Sequence, residues 1–187
     1  MKTRVYPGML DTSKEYFTNG SEVMLLHNGS VENFDNIPEH SELASIIENE
    51  ADLKQILNHW FPDNPFMQQK TLARCRFGAL NFHPDFSKDE TSADFCICPM
   101  RGNCSGENII CKPLTRGEEK FETMEITVML ELAGADKNTT IADKLGFCLG
   151  TFFVFKTSIY SKVKSVINKP VLTKQQLAKF LFLEGLL

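Results

Sequence analysis

Five of the six cysteines fall between residues 75 and 111, in a stretch that also holds Gly78, Pro84, Pro99, Gly102 and Gly106 and shows weak hydrophobic periodicity. A loop-rich segment of that length inside a compact domain needs something to pin it. The cysteines run Cys75, Cys96, Cys98, Cys104 and Cys111, and the tightest part reads Cys98-Pro-Met-Arg-Gly-Asn-Cys104. Thiolates hold zinc tetrahedrally at about 2.3 Å, and four must converge on the ion. Gly and Pro between them supply the turns that convergence needs. The spacing predicts Cys75, Cys98, Cys104 and Cys111 as a zinc set. Cys96, separated from Cys98 by a single residue, is awkward for the same ion, and His83 is a further candidate ligand. An iron–sulfur cluster would use the same thiolates. The plain alternative is reduced cysteines packed as small apolar residues. Cys148 stands alone in an apolar stretch and is expected in the core.

The chain has 187 residues, of which 42% are hydrophobic. That is enough for one ordinary domain or two small ones with a buried core, and it excludes wholesale disorder. No apolar run reaches the roughly 18 residues of a membrane span. Met1 to Pro7 has basic residues but no apolar h-region, so a secretory leader is not expected. A cytoplasmic location is expected, where clustered cysteines more often bind metal than form disulfides. No nucleophile, base and orienting group can be assembled from the sequence, so an enzyme is not expected.

The net charge of -4 hides an asymmetry. Residues 1–119 carry 11 Lys+Arg and 18 Asp+Glu, a net of -7. Residues 120–187 carry 9 Lys and 6 Asp+Glu, a net of +3. The basic half is the candidate for a polyanionic partner.

Residues 1–20 read as an irregular arm. Val23 to Phe34 is a β-hairpin around Asn28-Gly29, the strongest short hairpin signal. A helical pattern follows Pro38 and ends at Pro62-Asp63-Asn64-Pro65. Residues 66–113 read as the Cys-rich loop region and residues 112–120 as a linker. The expected fold class is α+β: an N-terminal hairpin and helix unit with its Cys-rich loop over 1–115, then an all-α four-helix domain over 116–187.

Four helices are predicted after residue 120. Ile126, Met129, Leu130 and Ala133 share one face of the first, and Gly134 stops it. Asn138 or Thr139 is expected to cap a short second helix through Ile141, Ala142 and Leu145. Thr151 is expected to cap a third through Phe152, Ile159, Val163 and Val166, broken at Lys169-Pro170. Thr173-Lys-Gln-Gln176 is a capping box that opens the fourth, and Gly185 ends it. A short helix, a tight turn and a longer helix form the helix-turn-helix plan.

Residues 121–187 resemble the DNA-binding domain of LuxR-type (GerE-type) transcription regulators. The resemblance rests on Glu125-Ile126-x-Val128, Ile141-Ala142-Asp143-Lys144-Leu145, Gly150-Thr151, Ile159-Tyr160-x-Lys162-Val163, Leu177-Ala178-Lys179-Phe180 and Glu184-Gly185-Leu186-Leu187. It implies that the third helix lies in the major groove of double-stranded DNA, with Phe153, Val154, Lys156 and Thr157 on the reading face. Thr151, Lys162 and Lys164 would contact phosphates. It also implies a homodimer through residues 173–187. The sequence departs from the family at Phe153, usually basic or polar, and at Phe155, usually His. Phe cannot make the bidentate bonds that read G or A, but it can touch a thymine methyl. The front half lacks the βα alternation and acidic pocket of a phosphoreceiver.

The reading that follows is a DNA-binding transcription regulator with a metal-stabilised Cys-rich module. A protein-interaction module with a degenerate helix-turn-helix, anchored by Phe153 and Phe155, is the alternative, because exposed aromatics mark protein partners. A Cys-cluster redox sensor is a third.

Overall fold

A computed structural model describes residues 5–88 and 90–187. Residues 1–4 of the expected N-terminal arm lie outside them. The chain divides into two compact units between Lys112 and Pro113. Its class is mixed α+β, with antiparallel strands and seven α-helices among the described residues.

The first unit opens on a three-stranded antiparallel meander, β1 (Lys14–Asn19), β2 (Glu22–His27) and β3 (Ser30–Asn33). The hairpin expected around Asn28-Gly29 is β2–β3, with His27 opposite Ser30 and both loop residues at positive φ. That is the backbone a two-residue type I′ turn demands. The expectation of an irregular arm is corrected in part: residues 14–19 form β1, which pairs with β2 across Gly20-Ser21. Tyr16 and Val23 bring fully buried side chains to the core from β1 and β2.

Three helices cover the core: α1 (Ser41–Asn49), α2 (Ala51–Trp60) and α3 (Pro65–Arg76). Leu43, Ile47, Leu53, Leu57 and Leu72 pack with Tyr16, Phe34 and Phe77. Helix α3 corrects the expectation of a loop from residue 66 onward. The same residues that stop α2 start α3: the Asn64 side chain accepts the Met67 N–H at 3.1 Å, and Pro65 takes the first helical position. The helix is hard to read because it buries polar side chains. Gln68 donates to Asn58 Oδ1 and the Phe61 carbonyl, and Arg76 is 4% exposed.

The second unit begins with a hairpin, β4 (Leu114–Arg116) and β5 (Glu119–Phe121), where a linker was expected. Gly117, at a φ of 59°, makes the turn. Four helices follow: α4 (Thr123–Ala133), α5 (Asn138–Lys144), α6 (Leu149–Ile167) and α7 (Lys174–Leu183). Helix α4 packs on α5, α6 and α7. Ile126, Met129, Ile141, Phe152, Ile159, Val163, Leu177 and Leu181 are buried between them. The Arg116 guanidinium pairs with the buried Glu184 carboxylate at 2.6 Å, joining the hairpin to the end of α7. The capping box at Thr173 and Gln176 forms with both bonds. Two caps differ from expectation. Lys137 precedes α5 without a side-chain cap, and α6 starts two residues before Thr151, with Cys148 at its N-cap.

No helix among the described residues is long and apolar enough to cross a membrane.

Candidate functional site

Two regions gather the chemistry, one in each unit. In the second unit α5 is short, a turn of four residues follows, and α6 is long. Phe152, Ile159 and Val163 point into the core, which fixes the opposite side of α6 outward. Thr151, Phe153, Val154 and Thr157 are exposed on its first turns. Phe153 is 45% and Val154 73% exposed, and Leu149 joins them at 41%. Phe155 is half-buried and packs on Phe147 with ring centroids 5.7 Å apart.

The lysines of α6 divide by partner. Lys162 Nζ lies 2.7 Å from Glu125 Oε2 and 2.9 Å from the Lys120 carbonyl, so its charge is matched inside the unit. Lys156 Nζ donates to the neutral Asn138 Oδ1 at 3.1 Å. Burial, and then the charge of Lys174, pushes the Lys156 ammonium below its usual pKa, which places two cations near each other. Among the described residues, Lys156, Lys164, Lys169, Lys174 and Lys179 form no ion pair. Lys174, the first residue of α7, is a contributor that the family pattern did not supply; only tertiary proximity reveals it.

Cys148 is exposed, which corrects its expected place in the core. Its Sγ lies 3.0 Å from Thr151 Oγ1, and hydrogen bonds from Thr151 hold the thiol below its usual pKa. The cause is the helix start two residues earlier than expected, which puts Cys148 at the N-cap.

In the first unit the segment after α3 is held by side chains rather than by regular structure. Arg76 Nε donates to the Ile110 carbonyl at 2.8 Å and Nη2 to the Ile109 carbonyl at 2.7 Å, while Glu50 takes its remaining donors. Cys75 and Cys111 are the chain neighbours of these clamped residues. The Arg101 guanidinium lies 4.0 Å over the Phe95 ring and donates to the Cys96 carbonyl. Glu107 accepts the Gly102 N–H. Arg101 is the Arg of the Cys98-Pro-x-Arg-Gly-x-Cys104 motif; its role as a clamp was not read from the sequence.

The cysteines of this unit act on one another electrostatically. Burial, and then the nearby Cys111, Cys98 and Cys104, push the Cys75 thiol up to about 11. The Cys96 Sγ accepts the Gly78 N–H at 3.3 Å, and burial followed by Asp94 raises its pKa, with Cys75 a further contributor. Among the described residues, no three His, Cys, Asp or Glu side chains are posed around a common point as metal ligands.

Buried carboxylates lie beside this loop. Glu15 accepts the Asn81 and Asp85 N–H groups, Asp85 accepts the Tyr16 N–H, and Asp94 accepts from Asn81 and Ala79.

The sequence matches no family model, and neither a curated protein nor a solved structure matches it.

Proposed function

We propose that the second unit binds double-stranded DNA, with α5 and α6 as a helix-turn-helix and α6 as the helix laid in the major groove. The chain would then act as a transcription regulator, as the resemblance of residues 121–187 to the LuxR-type domain implies. The observation that carries this reading is the outward face of α6, where Thr151, Phe153, Val154 and Thr157 are exposed together on a helix anchored by buried residues. A reading helix needs that combination of rigid seating and free face. Phe153 and Val154 are apolar and suit thymine methyl groups. The unpaired lysines Lys156, Lys164 and Lys174 supply phosphate contacts, joined by the Thr151 hydroxyl near the start of α6. Lys162 spends its ammonium on Glu125 and acts by fixing α6 to α4. The resemblance also implies a dimer through residues 173–187, which sedimentation of the free and DNA-bound chain tests.

The test is a fluorescence-anisotropy titration with random duplex DNA at about 50 and about 200 mM salt. Micromolar binding that weakens steeply with salt supports the reading. No binding at the lower salt overturns it.

One observation favours a second reading. Leu149, Phe153 and Val154 make an exposed apolar group, and aromatic anchors of that kind dominate protein interfaces. A Phe153→Ala chain that loses a protein partner while keeping DNA affinity decides for it.

A further inference from the structure

We propose that the outward face of α6 selects the 5-methyl group of pyrimidines in the major groove, in thymine and equally in 5-methylcytosine, and not the hydrogen-bonding pattern of the bases. This rests on the reading of α6 as the helix laid in the groove, and it names what that helix selects there.

The residue types of α6 decide what it can read. From Leu149 to Ile167 the helix holds no Arg, Asn, Gln, Asp, Glu or His. Arg reads the paired acceptors of guanine, Asn and Gln read adenine, and a carboxylate accepts from the cytosine amino group. None of these is present on α6. Lysine can also reach guanine, but the three lysines of α6 are placed otherwise. Lys162 is held by Glu125, and Lys156 is half-buried with its ammonium on Asn138. Lys164 sits about 15 Å along the helix from Val154. What the first turns offer outward is apolar: Phe153 and Val154 are exposed side by side. Thr157, one turn on, donates its hydroxyl proton to the Phe153 carbonyl at 2.8 Å, so no proton is left there for a base. Residues 154, 157, 158, 161 and 165 recur at helical spacing, are all exposed, and carry no charge. The methyl group of thymine projects into the major groove and is the apolar mark that an unmodified base presents there. Burying one methyl against Phe153 or Val154 is worth about fourfold in affinity.

Charge complementarity makes duplex DNA the occupant of this face. Helix α6 has no carboxylate to repel a phosphate. Lys156, one turn from Phe153, and Lys164, Lys169, Lys174 and Lys179 beyond it form no ion pair among the described residues. An apolar patch accompanied by unpaired ammonium groups suits a polyanion that also presents methyl groups, and the major groove of DNA does both. Methylation of a cytosine adds the same group at the equivalent ring position, so it creates the same contact on a C·G pair.

The experiment uses the full chain and duplexes with a randomised centre. One pool is amplified with dTTP and one with dUTP, which pairs identically and lacks the methyl. Each is enriched by retention on the protein and sequenced. Thymine enrichment is expected in the first pool, with no matching uracil enrichment in the second. The strongest duplex is then titrated by anisotropy with thymine, with uracil, and with cytosine or 5-methylcytosine at the enriched positions. Uracil is expected to weaken binding about fourfold for each methyl lost. 5-Methylcytosine is expected to bind more tightly than cytosine by the same factor. Phe153→Ala is expected to lose the thymine enrichment, and Phe153→Arg to move it toward guanine. The comparison of bases on the native chain needs no variant to fold. Equal affinity for the thymine and uracil duplexes, with binding that still weakens steeply with salt, overturns methyl selection and leaves DNA binding standing. Enrichment of guanine by the native chain overturns it in the same way. No retention of either pool at low salt overturns both.

Discussion

Lys162 of α6 places its ammonium 2.7 Å from the carboxylate of Glu125 on α4, and Glu125 also accepts the Glu122 N–H that completes the capping box of α4. One side chain thereby closes a helix start and anchors the helix proposed to read DNA. The Glu125 side chain is 7% exposed, so its charge depends on Lys162. Lys162→Met is expected to cost about 1–3 kcal/mol, the range for stranding a buried charged acceptor. Thermal unfolding of the variant measures it. An unchanged melting temperature together with a flatter salt dependence of DNA binding would instead make Lys162 a phosphate contact.

Lys156 and Lys174 are expected to behave in the opposite way. Neither has a carboxylate partner to lose, and Lys156 is only half-buried. The Lys156→Ala, Lys174→Ala double variant is expected to melt near the parent temperature. Its log–log salt slope should fall by about 0.9 for each phosphate contact removed. Anisotropy titrations at several salt concentrations give that slope, and an unaltered slope removes both residues from the DNA surface.

Arg76 is the keystone of the Cys-rich segment. Its guanidinium, 4% exposed, serves two carbonyls and the Glu50 carboxylate at once. Arg76→Met takes the donor from both carbonyls and leaves the partly exposed Glu50 to Lys112 alone, and about 1–3 kcal/mol of stability is expected to go, the range for stranding buried acceptors. Arg76→Lys is expected to recover little, because an ammonium cannot reproduce the planar fork. Trp60, the one tryptophan of the chain, reports unfolding of this unit by its fluorescence. Equal denaturant midpoints for the parent chain and Arg76→Met would refute the role.

Gly106 offers a smaller perturbation of the same segment. Gly106→Ala drives a methyl against Trp60 and Ile110 and is expected to cost about 1–3 kcal/mol by overpacking. A shifted Trp60 emission spectrum in the folded variant is the accompanying signature. An unshifted spectrum with parental stability would mean the loop does not close on Trp60.

The buried carboxylates make the first unit sensitive to alkali. Burial, and then the Asp94 charge, pushes Glu15 up to about 9, and burial followed by Asp94 and Glu15 pushes Asp85 well above the usual range. The facing groups are Asp94 and the Asn81 and Asp85 N–H donors on Glu15. Folded Glu15 therefore holds a proton that the unfolded chain releases near pH 4.5. Between pH 4.5 and about 9 the folded state binds more protons, so stability falls as pH rises. Urea midpoints read from Trp60 are expected to fall from about pH 6 to about pH 8.5, and Glu15→Gln should flatten the trend. A rising midpoint in the parent chain would reverse the assignment.

Local signals in this sequence were sufficient where one or a few adjacent residues decide the backbone. Asn28-Gly29 set a hairpin, Thr173 and Gln176 set a capping box, and the apolar stripes after residue 120 marked α4 to α7. Spacing and turn residues suggested Cys75, Cys98, Cys104 and Cys111 as one set, yet among the described residues no three such side chains are posed around a common point. What depended on distant partners was not legible. Residues 14–19 became a strand because β2 offered an edge, and Leu114 to Phe121 became a hairpin because its apolar ends found the core. Helix α3 stayed hidden because Gln68 and Arg76, polar by composition, face inward to partners contributed by α2 and the 109–110 carbonyls. Cys148 moved to the surface with the start of α6, and Lys162 found Glu125 across 37 positions of chain. A turn or a cap is fixed by the dihedral angles of neighbouring residues, which the sequence carries directly. The partner of a buried charge is chosen by packing, which exists only once the tertiary structure has formed.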